Sequence, residues 1–200
     1  MKFLILGGFL GSGKTSFLLH IAKHLVQVRG IRKVAILENE VGQVSVDDKL
    51  LSETGLQVRG LFAGCVCCTM AAELPITVKM IQKEVDPDWI IMEATGVAFP
   101  DAIRENLERY LDEPPQVLCL VDAKRWRKLL GPMAHLLPVQ LRGAHMILIN
   151  KIDLVSPEEL EWIKQSAAGF NDAARIEAFS ALETVPAEIL DRIVDWEPQS

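Results

Sequence analysis

The sequence predicts an α/β fold, a mostly parallel central sheet with helices on both faces, and three observations point to it. Short continuous apolar runs, Phe3 to Leu6, Trp89 to Met92, Val117 to Val121 and Met146 to Ile149, read as strands buried on both sides. Helical periodicity lies between several of them, the alternation expected of a parallel sheet with crossover helices. Each run ends in polar or glycine-rich residues, at the edge where open α/β sheets take up ligands. Two hundred residues, half of them hydrophobic, can bury one core. A single domain over residues 1–200, with no second domain, is expected.

The first run leads directly into Gly8-Phe9-Leu10-Gly11-Ser12-Gly13-Lys14-Thr15, which fits G-x-x-x-x-G-K-[ST]. Behind it, Phe17, Leu18, Ile21, Ala22, Leu25 and Val28 share one apolar face, with His20, Lys23, His24 and Gln27 opposite, so an amphipathic helix is predicted. His20 and His24 lack the Glu of a zincin and read as a solvated face rather than as metal ligands. Lys33 to Leu37 reads as a second strand, followed by Glu38 to Gln43 and the weakly alternating Val44 to Asp48. Leu56 to Phe62 is strand-like and delivers Cys65-Val66-Cys67-Cys68 onto a turn opened by Gly64. Ala71 to Val85 is expected to be helical, with Pro75 near its start. The three later apolar runs end in Glu93-Ala94-Thr95-Gly96, in Asp122 and in Asn150-Lys151-Ile152-Asp153. Ser156 caps a predicted helix Pro157 to Gln165, with proline at its first position. Arg175 to Phe179 reads as a last strand, leading to Ser180-Ala181 and a short helix from Pro186.

A formal net charge of −6 with no basic run excludes nucleic acid as the main partner. No window is long and apolar enough to span a membrane, and the first apolar stretch is too short for a signal peptide. Four cysteines, three of them crowded into four positions, do not form a secreted disulfide framework. A cytoplasmic location is expected.

The glycine-rich stretch has the features of a phosphate cradle. Gly8, Gly11 and Gly13 let backbone N–H groups turn inward, Ser12 and Ser16 complete the cradle, and the following helix adds its positive end. Lys14 would reach the β- and γ-phosphates of a nucleotide, and the Thr15 hydroxyl would hold Mg²⁺. Glu93 stands where nucleotide hydrolases keep an acidic residue near Mg²⁺, and its length favours contact through water. Gly96 would let its N–H approach the γ-phosphate. Lys14, Thr15 and Glu93 are thus the catalytic candidates, with an ordinary strand-end carboxylate the alternative for Glu93. Asn150-Lys151-Ile152-Asp153 fits N-K-x-D, in which Asp153 can accept from the guanine ring N–H and its exocyclic amine together. GTP and GDP are therefore preferred over adenine nucleotides. Ser180 and Ala181 are candidates to cover the base through backbone N–H groups, although a plain turn explains them almost as well. Cys65, Cys67 and Cys68 converge only if the backbone turns. Three thiolates then favour Zn²⁺ and leave one tetrahedral position for another ligand; buried small hydrophobes or a redox pair are the alternatives. Cys119, inside an apolar run, reads as core.

With GFLGSGKT at Gly8 to Thr15, ENEVG at Glu38 to Gly42, GCVCC at Gly64 to Cys68, EATG at Glu93 to Gly96 and NKID at Asn150 to Asp153, the chain resembles the CobW-like family of metal-linked GTPases. These are relatives of the nickel-insertion GTPases of hydrogenase and urease maturation. GCxCC is the specific member of the set, because the other motifs recur among P-loop proteins. The resemblance covers nearly the whole chain and implies a P-loop NTPase fold and a GTPase giving GDP and phosphate. It also implies Zn²⁺, or Co²⁺ or Ni²⁺, held at Cys65, Cys67 and Cys68 and delivered to a client metalloprotein or cofactor pathway. Glu38 and Glu40 are then candidates to complete or share the metal site, and Asp47, Asp48 and Glu40 to orient the attacking water. Related GTPases often pair, so a homodimer is among the expectations. The chain departs from the family pattern at Val41 and Gln43, where an aromatic and often an acidic residue are usual, and it stops where typical members continue into a second domain. The rival readings are a GTP-regulated binding module with structural zinc, and a small-molecule kinase, against which Asn150 to Asp153 argues.

Overall fold

The computed structural model describes residues 1–38 and 70–198, with backbone alone at residues 38 and 70–73. Six strands, β1 (Lys2–Gly8), β2 (Val34–Glu38), β3 (Trp89–Glu93), β4 (Gln116–Asp122), β5 (Met146–Asn150) and β6 (Arg175–Ala178), form one sheet in the order β2-β3-β1-β4-β5-β6. Every pairing is parallel. The connecting helices are α1 (Lys14–Lys23), α2 (Met70–Val85), α3 (Pro100–Glu108), α4 (Ala123–Leu129), α5 (Leu137–Leu141), α6 (Pro157–Ala168) and α7 (Ala187–Val194). This is the α/β P-loop fold that the sequence predicts.

The continuous apolar runs are explained by burial on both faces, since every residue of β4 and β5 is buried. Successive side chains point to opposite faces, so Leu4 and Leu6 join Phe17, Leu18 and Ile21 of α1 and Ile189 and Ile193 of α7. Phe3 and Ile5 face the other way, toward Val78 and Ile81 of α2, Trp126 of α4 and Ile163 of α6. Phe17 and Phe179 stack with ring centroids 5.3 Å apart, which ties the start of α1 to the end of β6. Cys119 is core, as expected, and burial pushes its thiol up to about 12.

Pro75 lies inside α2, past its first turn and so deeper in the helix than the sequence reading expects, and Ser156 caps α6 by accepting from the Glu159 N–H at 3.2 Å. The predicted helix after the glycine-rich loop needs correction. Regular α1 ends at Lys23 and continues as a π-helical turn, His24–Val28, in which the Arg29 N–H donates to His24 O at 3.0 Å. The wider turn puts the apolar periodicity out of step, so Val28 is 67% exposed while His24 turns inward. His24 Nε2 donates to Asp191 Oδ1 at 2.8 Å, and His20 Nε2 donates to Ala181 O at 3.2 Å. The two histidines therefore brace α1 against the end of the chain and do not form a solvated face. The His24 hydrogen bond holds the Asp191 carboxyl below its ordinary range, with Arg29 adding to the effect. Helices α3, α4 and α5 have no counterpart in the sequence reading. No helix among the described residues is long and apolar enough to cross a membrane.

His145, just before β5, accepts from the Val117 N–H at Nδ1 over 2.9 Å and lies edge-on to Trp196. That bond fixes the neutral ring with its proton on Nε2. Burial, and then the positive charge of Arg104, lower its pKa from the usual 6.5. A lowered folded value means that the unfolded chain binds more protons just below pH 6.5. The contribution to stability is then full above that pH and is lost as the pH falls through the folded value. In urea titrations across this range, His145→Asn should retain an acceptor for Val117 and show a flatter fall in stability with acid than the parent protein.

Candidate functional site

Strand β1 sits in the middle of the sheet between β3 and β4, so the connections on its two sides diverge and leave a crevice at its carboxyl end. The glycine-rich loop fills that position. Its Ser12 N–H closes a turn on Phe9 O at 3.1 Å, and Gly13 adopts a φ of 97°, a region costly for residues with a Cβ. A Cβ at Gly13 would also collide with Asn150 Nδ2. Helix α1 begins at the next residue and carries no acidic side chain in its first turn. Its first N–H groups, which have no intrahelical acceptor, are thus left in a positive field suited to an anion.

Lys14 is only 6% exposed, and its ammonium is satisfied by Gly8 O at 3.0 Å and Phe9 O at 3.4 Å, with Glu93 Oε1 4.0 Å away. The Thr15 hydroxyl donates to the same Glu93 oxygen at 3.2 Å. Both Thr15 and Ser16 are exposed. A hydroxyl and a carboxylate side by side are hard oxygen donors of the kind Mg²⁺ takes, so the residues present fit that ion. Beyond Glu93, Gly96 packs so closely that a Cβ would lie 2.7 Å from Leu10 N. Buried Gln140 of α5 holds the loop by donating to Gly96 O at 2.8 Å.

The second side of the site starts from Asn150 at the end of β5. Its Nδ2 donates to Ser12 O at 2.9 Å, while its Oδ1 accepts from the Lys151 N–H and the Ala181 N–H, each at 2.8 Å. Lys151, in a left-handed conformation with φ 65°, sends its Nζ to Gly11 O at 2.6 Å and to Asp122 Oδ2 at 2.7 Å. Asp153 is exposed in the 3₁₀ turn Ile152–Leu154. Ser180 is buried, and its hydroxyl, like that of Ser12, has no partner among the described residues; such polar atoms suit a polar ligand. Because the Ala181 N–H is engaged by Asn150, Ala181 braces the base motif.

Gly8, Gly11, Ser12, Gly13, Lys14, Thr15, Glu93, Gly96, Asn150, Lys151, Ser180 and Ala181 thus come together along one sheet edge. Glu38 ends β2 beside Glu93 in the strand register, and its side chain lies outside the described residues. So do Glu40, Asp47, Asp48, Cys65, Cys67, Cys68 and the strand expected at Leu56 to Phe62. Among the described residues there is no group of three or more His, Cys, Asp or Glu side chains that could hold a metal ion. Sequence reasoning missed Asp122, Arg125, Gln140 and the bracing role of His20. Only Asp122 had a signal, its place at the end of an apolar strand.

The profile of the CobW/HypB/UreG nucleotide-binding domain matches residues 2–177. The chain is similar to the zinc chaperone YjiA of Escherichia coli K12, 33% identical over 184 residues, covering 86% of this chain and 55% of that protein. It is also similar to the zinc-regulated GTPase metalloprotein activator 1 of Dictyostelium discoideum, 29% identical over 214 residues, covering 86% of this chain and 44% of that one. It spans about half the length of these relatives. In fold it is similar to the hydrogenase maturation factor HypB of Archaeoglobus fulgidus, with a TM-score of 0.67 at 19% identity, covering 97% of this chain and 89% of that one.

Replacing Asn150 with Ala would leave the N–H groups of Lys151 and Ala181 without their acceptor. A stability loss of about 2–4 kcal/mol is expected from such orphaned donors, read from the urea midpoint at unchanged slope. A loss below about 0.5 kcal/mol, the range of an ordinary surface change, would show that the two loops stand without this amide.

Proposed function

The chain belongs to the CobW/HypB/UreG family of nucleotide-binding domains, and from that premise we propose that it hydrolyses GTP and couples hydrolysis to the handover of a zinc ion. The observation that carries the reading is the Asn150 hydrogen bond to Ser12 O, which sets a phosphate-loop motif against a guanine-reading motif. Further support comes from the relatives, a zinc chaperone and a zinc-regulated GTPase metalloprotein activator.

In this reading the loop N–H groups and Lys14 Nζ bind the β- and γ-phosphates and stabilise charge that develops on the transferred phosphoryl group. Thr15 and Glu93 would hold Mg²⁺, Glu93 through water, and the ion would neutralise phosphate charge. The Gly96 N–H approaches the γ-phosphate. At the other end Asp153 accepts the two guanine donors, a pair that adenine lacks. Asn150, Lys151, Ser180 and Ala181 form the frame that holds Asp153 and the base. Water is the acceptor of the phosphoryl group. Zinc is cargo, taken by the thiolates of Cys65, Cys67 and Cys68 with Glu38 and Glu40 as further ligands. Coupling follows if the γ-phosphate reorganises the stretch carrying these ligands, and linkage then requires zinc to change GTP affinity by the same factor.

Asp153→Asn should lower GDP affinity about 100-fold, because the amide keeps one acceptor without its charge and turns an N–H toward the other guanine donor; unchanged affinity would remove guanine selection. The coupling is tested by titrating zinc into reduced, anaerobic protein with GDP and with a non-hydrolysable GTP analogue. A difference of about fivefold or more is expected, and equal affinities would sink the handover mechanism. Parallel titrations with cobalt and nickel identify the preferred ion. A Cys67→Ser variant that loses thermal stability equally with either nucleotide would assign zinc a structural role.

A further inference from the structure

We propose that Asp122 is a positioning residue for the bound nucleotide, its buried carboxylate holding the Lys151 ammonium directly, and the Arg125 side chain through the cap of its helix, onto consecutive carbonyls of the phosphate loop. The proposal rests on the nucleotide-binding reading above and adds a residue outside all of its motifs. Asp122 ends β4 opposite Asn150 in the strand register and is 4% exposed. Its Oδ1 accepts from the Arg125 N–H at 3.2 Å and caps α4, while its Oδ2 accepts from Lys151 Nζ at 2.7 Å. The same Lys151 nitrogen donates to Gly11 O at 2.6 Å, and Arg125 Nη1 donates to Leu10 O at 3.0 Å. With Asn150 on Ser12 O at 2.9 Å, three successive loop carbonyls are drawn toward the protein.

The consequence follows from peptide geometry. In a planar trans peptide the N–H points opposite to the preceding carbonyl, so drawing in Leu10 O and Ser12 O turns the Gly11 and Gly13 N–H groups away from these anchors. The intervening Ser12 N–H closes the turn on Phe9 O. The anchors on Leu10 O and Ser12 O thus aim the loop's donors, the Lys151 anchor on Gly11 O fixes the peptide between them, and Asp122 stands behind the Lys151 and Arg125 anchors. A carboxylate suits the position because its two oxygens can serve a backbone donor and an ammonium at once. Lys151 is partly exposed. Gly11 O alone offers its ammonium little that water does not, so the counter-charge of Asp122 keeps it on the loop.

Asp122→Ser separates these roles, since serine remains a good helix cap but cannot reach Lys151. In the full chain, this variant should bind GDP about tenfold more weakly, the expected effect of losing a hydrogen bond to a charged group. Most of the change should appear as faster GDP dissociation, and KM for GTP should rise more than kcat falls. The thermal midpoint without nucleotide should stay within a few degrees of the parent. Should the serine variant fail to fold, Asp122→Thr, another helix cap too short to reach Lys151, receives the same measurements, with the same result expected. A folded variant with the parent's GDP affinity, or a lowered nucleotide-free midpoint with no change in affinity, would overturn the proposal. Parent protein that fails to bind GDP, or binds ADP equally well, would instead overturn the nucleotide reading itself.

Discussion

One buried amide joins segments of this protein that lie far apart in sequence. Asn150 bonds to Ser12, 138 residues away, and to Ala181, 31 residues on. Asparagine suits the task because it presents donor and acceptor together. In a low-dielectric interior its bonds are strong, and each is expensive to leave unmade. Gly13 leaves room for that amide, so the glycine spacing of the first motif and the identity of Asn150 express a single packing requirement. The two motifs must pack against each other for either to hold its shape.

The parallel sheet makes that meeting possible. With all six strands running the same way, the residues that end them emerge along one edge: Gly8, Glu93, Asp122, Asn150 and the segment after β6. Charge is balanced locally there. Lys14 sits among loop carbonyls beside Glu93, and Lys151 is matched by Asp122. A buried ammonium without such partners would be strongly destabilising. Away from this edge, His20 and His24 fasten α1 to the last turn and to α7, so the helix that starts at the phosphate loop is held at both ends. Membership of the CobW/HypB/UreG family accords with this architecture.

The strands were legible because burial on both faces demands unbroken apolar runs, and β1, β3, β4 and β5 each lie within a residue or two of their predicted bounds. Helix α6 announced itself through Ser156 and Pro157. Helices α4 and α5 did not, because each is short and supported by tertiary contacts more than by periodicity, whereas α3 carries Pro100 at its first position and Asp101 in its first turn, start signals that the sequence reading passed over. The π-helical turn at His24 was illegible for a related reason. One extra residue in a turn is decided by what the helix packs against, here Asp191 of α7. The same holds for the candidate site. Lys14, Thr15, Glu93 and Asn150 belong to motifs with fixed spacing, whereas Asp122 and Gln140 belong to none. Their relevance appears only when Lys151 and Gly96 are seen beside them.

The amino-acid sequence by itself determined the α/β class, the burial of the central strands, the polar edge and the residue types available for phosphate and base recognition. All of these depend on local pattern: apolar runs, glycine spacing and motif spacing along one chain. Only the tertiary structure decided which side chains join the two loops, which histidines turn inward and which carboxylate stands behind Lys151. These outcomes depend on contacts between segments separated by tens of residues or more, and the direction of a side chain across such a gap is fixed by packing and hydrogen bonding.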